Sequence, residues 1–211
     1  MARPALGRVA RPEAAGRRLA HLDRDRALVV AAQADPARFD ALYRKYVAQV
    51  YSYAIYELRD PHEAEDVTAR TFLSALADLP RFQERADPAD GEGASTFRVW
   101  LFRIARNAIA ERRRTLRRRP QAELDAAGAM PAPVDVEGDA VRRDEAAAAW
   151  RAVAHLEDDR RQAIILRFVH ELTTAEMAGV LGRSEGAVRV LLHRALRSVA
   201  GELGRDGRRG W

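Results

Sequence analysis

A chain of 211 residues, 47% hydrophobic and 32% charged, has enough apolar content for two small folded domains and lacks the composition of a disordered protein. No stretch approaches the roughly 20 apolar residues of a membrane span, and the Arg-containing N-terminus has no signal-peptide core, so a cytoplasmic protein without membrane insertion is expected. The absence of cysteine excludes disulfides and thiolate metal sites, the five histidines lack ligand spacing so that no metal or cofactor is implied, and a formal charge of +5 favours a polyanionic partner.

Lys45 is the only lysine and alanine is abundant, as in GC-rich coding, so arginine placement is informative where arginine number is not. Residues 1–23 mix five arginines with Pro4, Pro12, Gly7 and Gly16 and read as a flexible basic tail. From Arg24 to Leu58, Leu28, Val29, Phe39, Leu42, Tyr43, Tyr46, Val50 and Tyr53 recur at helical spacing. Two helices broken at Asp35-Pro36 are predicted, with the tyrosines as core rather than base-stacking residues.

Asp60-Pro61 starts a third helix, to about Leu79, with Asp60 as N-cap and Val67, Phe72, Leu73, Leu76 and Leu79 as its apolar residues. Glu63, Glu65 and Asp66 in its early turns either complement the helix dipole or form a docking face for another protein. Residues 80–96 are rich in Pro, Gly and Asp and read as a loop, in which Gly91 and Gly93 lack the strand and longer fingerprint of a phosphate cradle.

Phe97 to about Arg114 is predicted to be a helix packing through Phe97, Trp100, Leu101, Ile104, Ala105 and Ala108. Arg103, Arg106, Asn107 and Arg114 fall on its other side, where an amide suited to adenine sits among cations that neutralise phosphate. Phe102 lies off the stripe and is assigned to the domain core over stacking on a base. The run ERRRTLRRR after it is a dense cationic patch. Residues 120–139 then reverse the charge, with five acids, no Lys or Arg, and several Pro and Gly. This reads as a flexible acidic linker that either stays clear of DNA or occupies a basic channel as a nucleic-acid mimic.

Two helices from Ala140 onward, carrying Ala147, Trp150, Val153, Ala154, Leu156, Ile164, Ile165, Leu166 and Phe168, supply a core for the last third of the chain. Thr173 and Glu176 form a capping box, Gly182 suits a tight turn, and Ser184 caps a second helix. That pattern is a helix-turn-helix, whose second helix presents Val188, Leu191, Leu192, Ala195, Leu196, Val199 and Leu203 as one apolar face. Set into a major groove, Arg189 is the bidentate candidate for a guanine, Ala187 and Val190 for a thymine methyl, and His193 for a base edge one turn on. Arg183, Ser184 and Arg194 are placed for backbone contacts. The fold class is therefore all-α: two small helical domains, 24–119 and 140–204, joined by the 120–139 linker, with a polar tail at 205–211.

This ordered set resembles the sigma-70 family of bacterial RNA polymerase sigma factors, most closely its extracytoplasmic-function (ECF) group. DPHEAEDVTARTFLSAL is similar to region 2.2, STFRVWLFRIARNAIAERRR to regions 2.3 and 2.4, and LTTAEMAGVLGRSEGAVRVLLHRAL to region 4.2. The resemblance implies a transcription-initiation factor that binds core polymerase and promoter DNA and is not an enzyme. It also implies that the third helix docks on the polymerase clamp coiled coil through Glu65, Asp66, Ala69 and Arg70. The 80–96 loop and the following helix, with Arg103, Arg106, Asn107 and Arg114, would open the minus-10 element and capture a flipped base. The Ser184–Arg197 helix would read the minus-35 element. An anti-sigma factor is a further partner the family allows. Three departures stand out: Ala69 and Arg70 replace the usual Gln and acid, the minus-10 loop is long, and Val190 and Leu191 stand where polar or basic residues are frequent. The alternatives are an autonomous helix-turn-helix regulator, and an adaptor that keeps the docking helices without promoter reading. Neither needs an Asn/Arg helix beside an opening loop.

Overall fold

The computed structural model describes residues 22–87, 90–118 and 140–209, together with the side chains of all but 140–144 and 205–209. The N-terminal tail before residue 22 and the 120–139 linker lie outside the described residues. Within them the structure is helical and contains no strand. An N-terminal unit comprises α1 (Arg26–Ala34), α2 (Phe39–Leu58), α3 (Pro61–Asp78) and α4 (Phe97–Arg117). A C-terminal unit comprises α5 (Ala140–Ala154), α6 (Asp158–Ile164), a π-helical turn (Ile165–Val169), α7 (Thr174–Leu181) and α8 (Glu185–Arg209).

Local chemistry sets the helix boundaries. Asp35 accepts a hydrogen bond from the Ala37 amide at 3.0 Å and opens the 3₁₀ turn that separates α1 from α2. Asp60 does the same for α3, accepting from the Glu63 amide at 3.0 Å with Pro61 in the first turn. The entry to α1 is tied to α2 by the single lysine. Lys45 Nζ lies 2.5 Å from Asp25 Oδ1, and the Tyr46 hydroxyl sits between Asp25 and Asp23. Burial and the two carboxylates push the Tyr46 phenol far above its ordinary pKa.

The N-terminal core forms where α2, α3 and α4 meet, through Leu42, Tyr46, Val50 and Tyr53 against Val67 and Phe72 and against Phe97, Leu101, Phe102 and Ile109, all buried. Phe102 is fully buried with its ring 5.6 Å from that of Tyr53, as its assignment to the core requires. Leu73 and Leu76, predicted to pack, are instead exposed. The buried stripe of α3 runs through Ala64, Val67, Thr68, Thr71, Phe72 and Ala75, and the 100° step between residues carries both leucines past its edge. The buried threonines satisfy their hydroxyls on carbonyls one turn back.

Two more apolar residues turn outward in the C-terminal unit. The π turn adds a residue to one helical turn, which keeps Ile165 and Leu166 inside and rotates Phe168 to 56% exposure. Leu196, two turns from Val188 but some 80° off its direction, is 47% exposed while Ala195 is fully buried. α8 also runs six residues past Leu203, so helical backbone continues into the segment read as a polar tail.

The two units do not keep separate cores. Leu166, Leu172, Met177, Val180 and Val188 join the same apolar cluster as the α2–α4 residues. α7 packs along α4, and the π turn packs on α2. A smaller cluster of Val153, Leu156, Ile164 and Ala195 belongs to the C-terminal unit alone.

Candidate nucleic-acid interface

The helix-turn-helix is built as its sequence dictates. Thr173 Oγ1 accepts from the Glu176 amide at 3.2 Å, and Glu176 Oε2 accepts from the Thr173 amide at 2.8 Å, closing the capping box. Gly182 ends α7 at a φ of +65°, where a side chain would be strained. Ser184 Oγ then accepts from the Ala187 amide at 3.2 Å and starts α8. Val188 and Ala195 anchor α8 to the core, with Leu191, Leu192, Val199 and Leu203 half-buried. The opposite ridge brings together Arg183, Ser184, Ala187, Arg189, Val190, His193 and Arg194, all exposed. Arg189 is held only loosely, its Nη1 3.5 Å from Glu185 Oε2, and Arg183 is ion-paired to Asp159 of α6.

The basic face of α4 is divided. Arg103, Asn107 and Arg114 are exposed. Arg106 is half-buried and donates from Nε to Gln162 Oε1 of α6 at 3.1 Å. Three arginines of the cationic run after it are engaged by carboxylates within the molecule. Arg112 makes a two-pronged contact with Glu63, Arg113 reaches the buried Glu57, and Arg117 Nη2 lies 2.7 Å from Asp158 Oδ2. Only part of the patch expected from the sequence therefore faces solvent, because carboxylates on α2, α3 and α6 meet it.

Beside α4 opens a cleft of about 320 Å³ lined by Phe82, Trp100, Arg81, Arg85, Arg103 and, from α7, Gly179. The Phe82 and Trp100 rings stand 5.1 Å apart. The loop that forms one wall is ordered by Glu84, which accepts from the Thr96 amide and hydroxyl at 2.8 Å each and from the Ala86 amide at 3.0 Å. Burial works against that carboxylate, but hydrogen bonding from Ser95 first, then from Thr96 and Ala86, outweighs it and holds its pKa below the ordinary range. From α1, Arg26 pins the same loop through the carbonyls of Ala94 and Ala86. Flat aromatic walls among guanidinium groups suit an unstacked base and its phosphates. Sequence reading missed Phe82, Arg81 and Arg85, and gave Trp100 only a packing role. No periodicity marks these residues, since tertiary hydrogen bonds shape the loop.

On α3, Glu65, Asp66, Ala69 and Arg70 are all exposed on one side, and Arg70 Nη1 lies 3.8 Å from Glu111 of α4. Leu73 continues that side four residues after Ala69 and, at 68% exposure, adds an apolar element that helical spacing alone assigns to the core.

Comparison with known proteins finds two family models along the chain. Residues 42–119 match the family model of Sigma-70 region 2, and residues 146–199 match that of Sigma-70, region 4. The chain is 34% identical to the ECF RNA polymerase sigma factor BldN of Streptomyces coelicolor, over 86% of this chain and 66% of that one. It is also 34% identical to the ECF RNA polymerase sigma factor SigL of Mycobacterium tuberculosis, over 82% of this chain and 95% of that one. Among solved structures, CnrH in complex with the cytosolic domain of CnrY superposes with a TM-score of 0.61 at 25% identity, covering 87% of this chain and 99% of that chain. The sigma factor RpoE in complex with the anti-sigma factor NepR from Bartonella quintana gives 0.58 at 21% identity, covering 79% and 96%, a likeness of fold.

Proposed function

We propose a division of labour within the chain from one premise: it belongs to the sigma-70 family of RNA polymerase sigma factors, in the ECF group. It is a promoter-specificity subunit and not an enzyme; it binds core RNA polymerase and directs initiation at selected promoters. Residues 24–119 form region 2, 120–139 the linker and 140–204 region 4, and the protein works in the cytoplasm. Arg103, Arg106, Asn107 and Arg114, with the cleft of Phe82 and Trp100, engage the minus-10 element and take up a base from the opened strand. The α8 ridge from Arg183 to Arg194 reads the minus-35 element. Glu65, Asp66, Ala69, Arg70 and Leu73 dock on the polymerase clamp coiled coil. Because the sigma factor RpoE is described in complex with the anti-sigma factor NepR, an anti-sigma partner is extended to this protein.

The observation that carries this reading is the pairing, in one chain, of an exposed recognition ridge on α8 with an aromatic and arginine-lined cleft beside α4. An autonomous regulator needs the first and has no use for the second. The deciding experiment adds the protein to sigma-free core polymerase on genomic DNA and maps transcript 5′ ends. New starts that share a two-part upstream motif are expected. Binding to duplex DNA alone with no new starts would return the reading to an autonomous regulator, and binding to core without initiation would return it to the adaptor.

Two variants sharpen the assignment. Arg189→Ala is expected to weaken promoter use by about 1–3 kcal/mol and relax choice at one minus-35 position. A uniform loss across all base substitutions contradicts base reading by Arg189. Asn107→Ala is expected to impair opening while core binding persists, whereas Leu73→Asp weakens core binding itself; size-exclusion and promoter-melting assays separate the two.

A further inference from the structure

Where the end of α2, the last turns of α4 and the start of α6 meet, carboxylates are outnumbered. A pocket of about 300 Å³ is lined there by Arg59, Arg113, Arg117 and Arg161 together with Glu57 and Asp158. Four guanidinium groups against two carboxylates leave an excess of two positive charges in one small space. Arg113 pairs with Glu57 and lies 3.5 Å from Asp158, while Arg117 and Arg161 approach Asp158 to 2.7 and 2.5 Å. Arg59 is left out. Among the described residues no carboxylate forms an ion pair with it, and its Nη2 donates only to the Ala154 carbonyl. Burial first, then the neighbouring charges of Arg161 and Arg113, lowers the Arg59 pKa, as befits a cation set among cations.

Backbone and burial both point to a ligand. Arg59 closes α2 at a φ of +59°, a left-handed conformation that favours glycine or asparagine, and residues held in such conformations cluster at ligand sites. Arg161 is only 8% exposed, yet its Nε has no hydrogen-bond partner and stands 3.6 Å from Glu57 Oε2. A buried donor left unmade is destabilising, and the oxygen of an anion would satisfy it. Leu58 and Leu116 supply apolar walls, and with Arg161 so deeply placed a compact anion can reach it where the backbone of a duplex cannot. We infer that this pocket binds a small phosphate-bearing anion, held by Arg59 at the end of α2 and Arg161 of α6, with Arg113 and Arg117 of α4 adding charge and the Asp158 carboxylate competing for the same guanidinium groups.

Pyrophosphate is the probe. Isothermal titration of the full-length protein at physiological ionic strength is expected to show one saturable site per chain. Arg59→Asn removes the guanidinium but keeps a residue that tolerates the left-handed backbone, and is expected to weaken binding about tenfold, the effect of one charge-assisted hydrogen bond. Asp158→Asn removes the competing charge and is expected to tighten binding about fivefold, a gain that misfolding cannot produce. Arg44→Ala deletes the same charge from an exposed position elsewhere on α2 and should leave affinity within about twofold. Absence of a saturable site in the wild type, or an equal loss in Arg59→Asn and Arg44→Ala, overturns the proposal. So does an Asp158→Asn variant that binds no tighter. Duplex DNA of arbitrary sequence is titrated in parallel. If Arg59→Asn and Asp158→Asn change its affinity by the same factors, the cluster serves backbone phosphate and the small-anion site is refuted.

Discussion

Glu57→Ala is expected to destabilise the protein by about 3–5 kcal/mol, the usual consequence of leaving buried charge without its partner. The Glu57 side chain has no exposed surface, contacts Arg113 of α4 through a hydrogen-bonded ion pair, and lies 3.6 Å from Arg161 of α6. Arg59 adds a third cation nearby and donates to the Ala154 carbonyl at 2.5 Å. Without Glu57, Asp158 alone answers this group of arginines. Burial pushes the Glu57 pKa up while Arg113 and Arg161 pull it back, so the carboxylate is poised between desolvation and attraction. Asp158 stands the other way: burial raises its pKa, but Arg113, Arg161 and Arg117 together hold it below the usual range. Urea denaturation at neutral pH measures the loss, and Glu57→Gln, which keeps the volume and removes the charge, is expected to retain most of it. A loss under about 1 kcal/mol for both variants would mean that Asp158 suffices as counter-charge.

Acidification is expected to cost a further measurable amount of stability through His170. Its ring is packed edge-on against Tyr53 and Phe102, at 5.7 and 5.1 Å. Burial, with Arg98 adding to it, lowers its pKa from 6.5 to about 3. A histidine whose folded pKa is depressed stays neutral in the native state while the unfolded chain takes up the proton. Stability is therefore full above pH 6.5 and falls as the pH drops through the window from 6.5 towards 3. At about 1.36 kcal/mol per unit, the loss is about 2 kcal/mol at pH 5 and about 3 kcal/mol at pH 4. Glu57, with its raised pKa, works in the opposite sense, so the contribution must be isolated by difference. Parallel denaturation of wild type and His170→Phe at pH 7.5, 5 and 4 provides it. The stability gap between the two should shift by these amounts in favour of the variant on acidification, and a gap independent of pH would place the His170 ring in contact with water.

Elements governed by neighbours in the chain were legible from the sequence. The capping box of Thr173 and Glu176, the left-handed Gly182, the Asp60 cap and the break at Asp35-Pro36 all depend on groups within four residues, and each lies where its residue types require. The exposed α8 ridge came from helical spacing, and the ordered motifs carried the family. What spacing could not give is which of two apolar stripes finds a partner. Leu73, Leu76, Phe168 and Leu196 read as core, yet they are exposed, because a neighbouring helix or a single π turn chooses the buried side. The same holds for charge. The arginine run of α4 is cationic in sequence, but Glu57, Glu63 and Asp158, brought to it over more than 40 residues, decide how much of it remains for DNA. The sequence by itself determined the helices, their order and the exposed ridge of α8, since short-range hydrogen bonds and periodicity specify those. Only the tertiary structure decided the aromatic cleft at Trp100 and the cover that α6 and α7 place over α4, because both are made of contacts between residues the chain holds far apart.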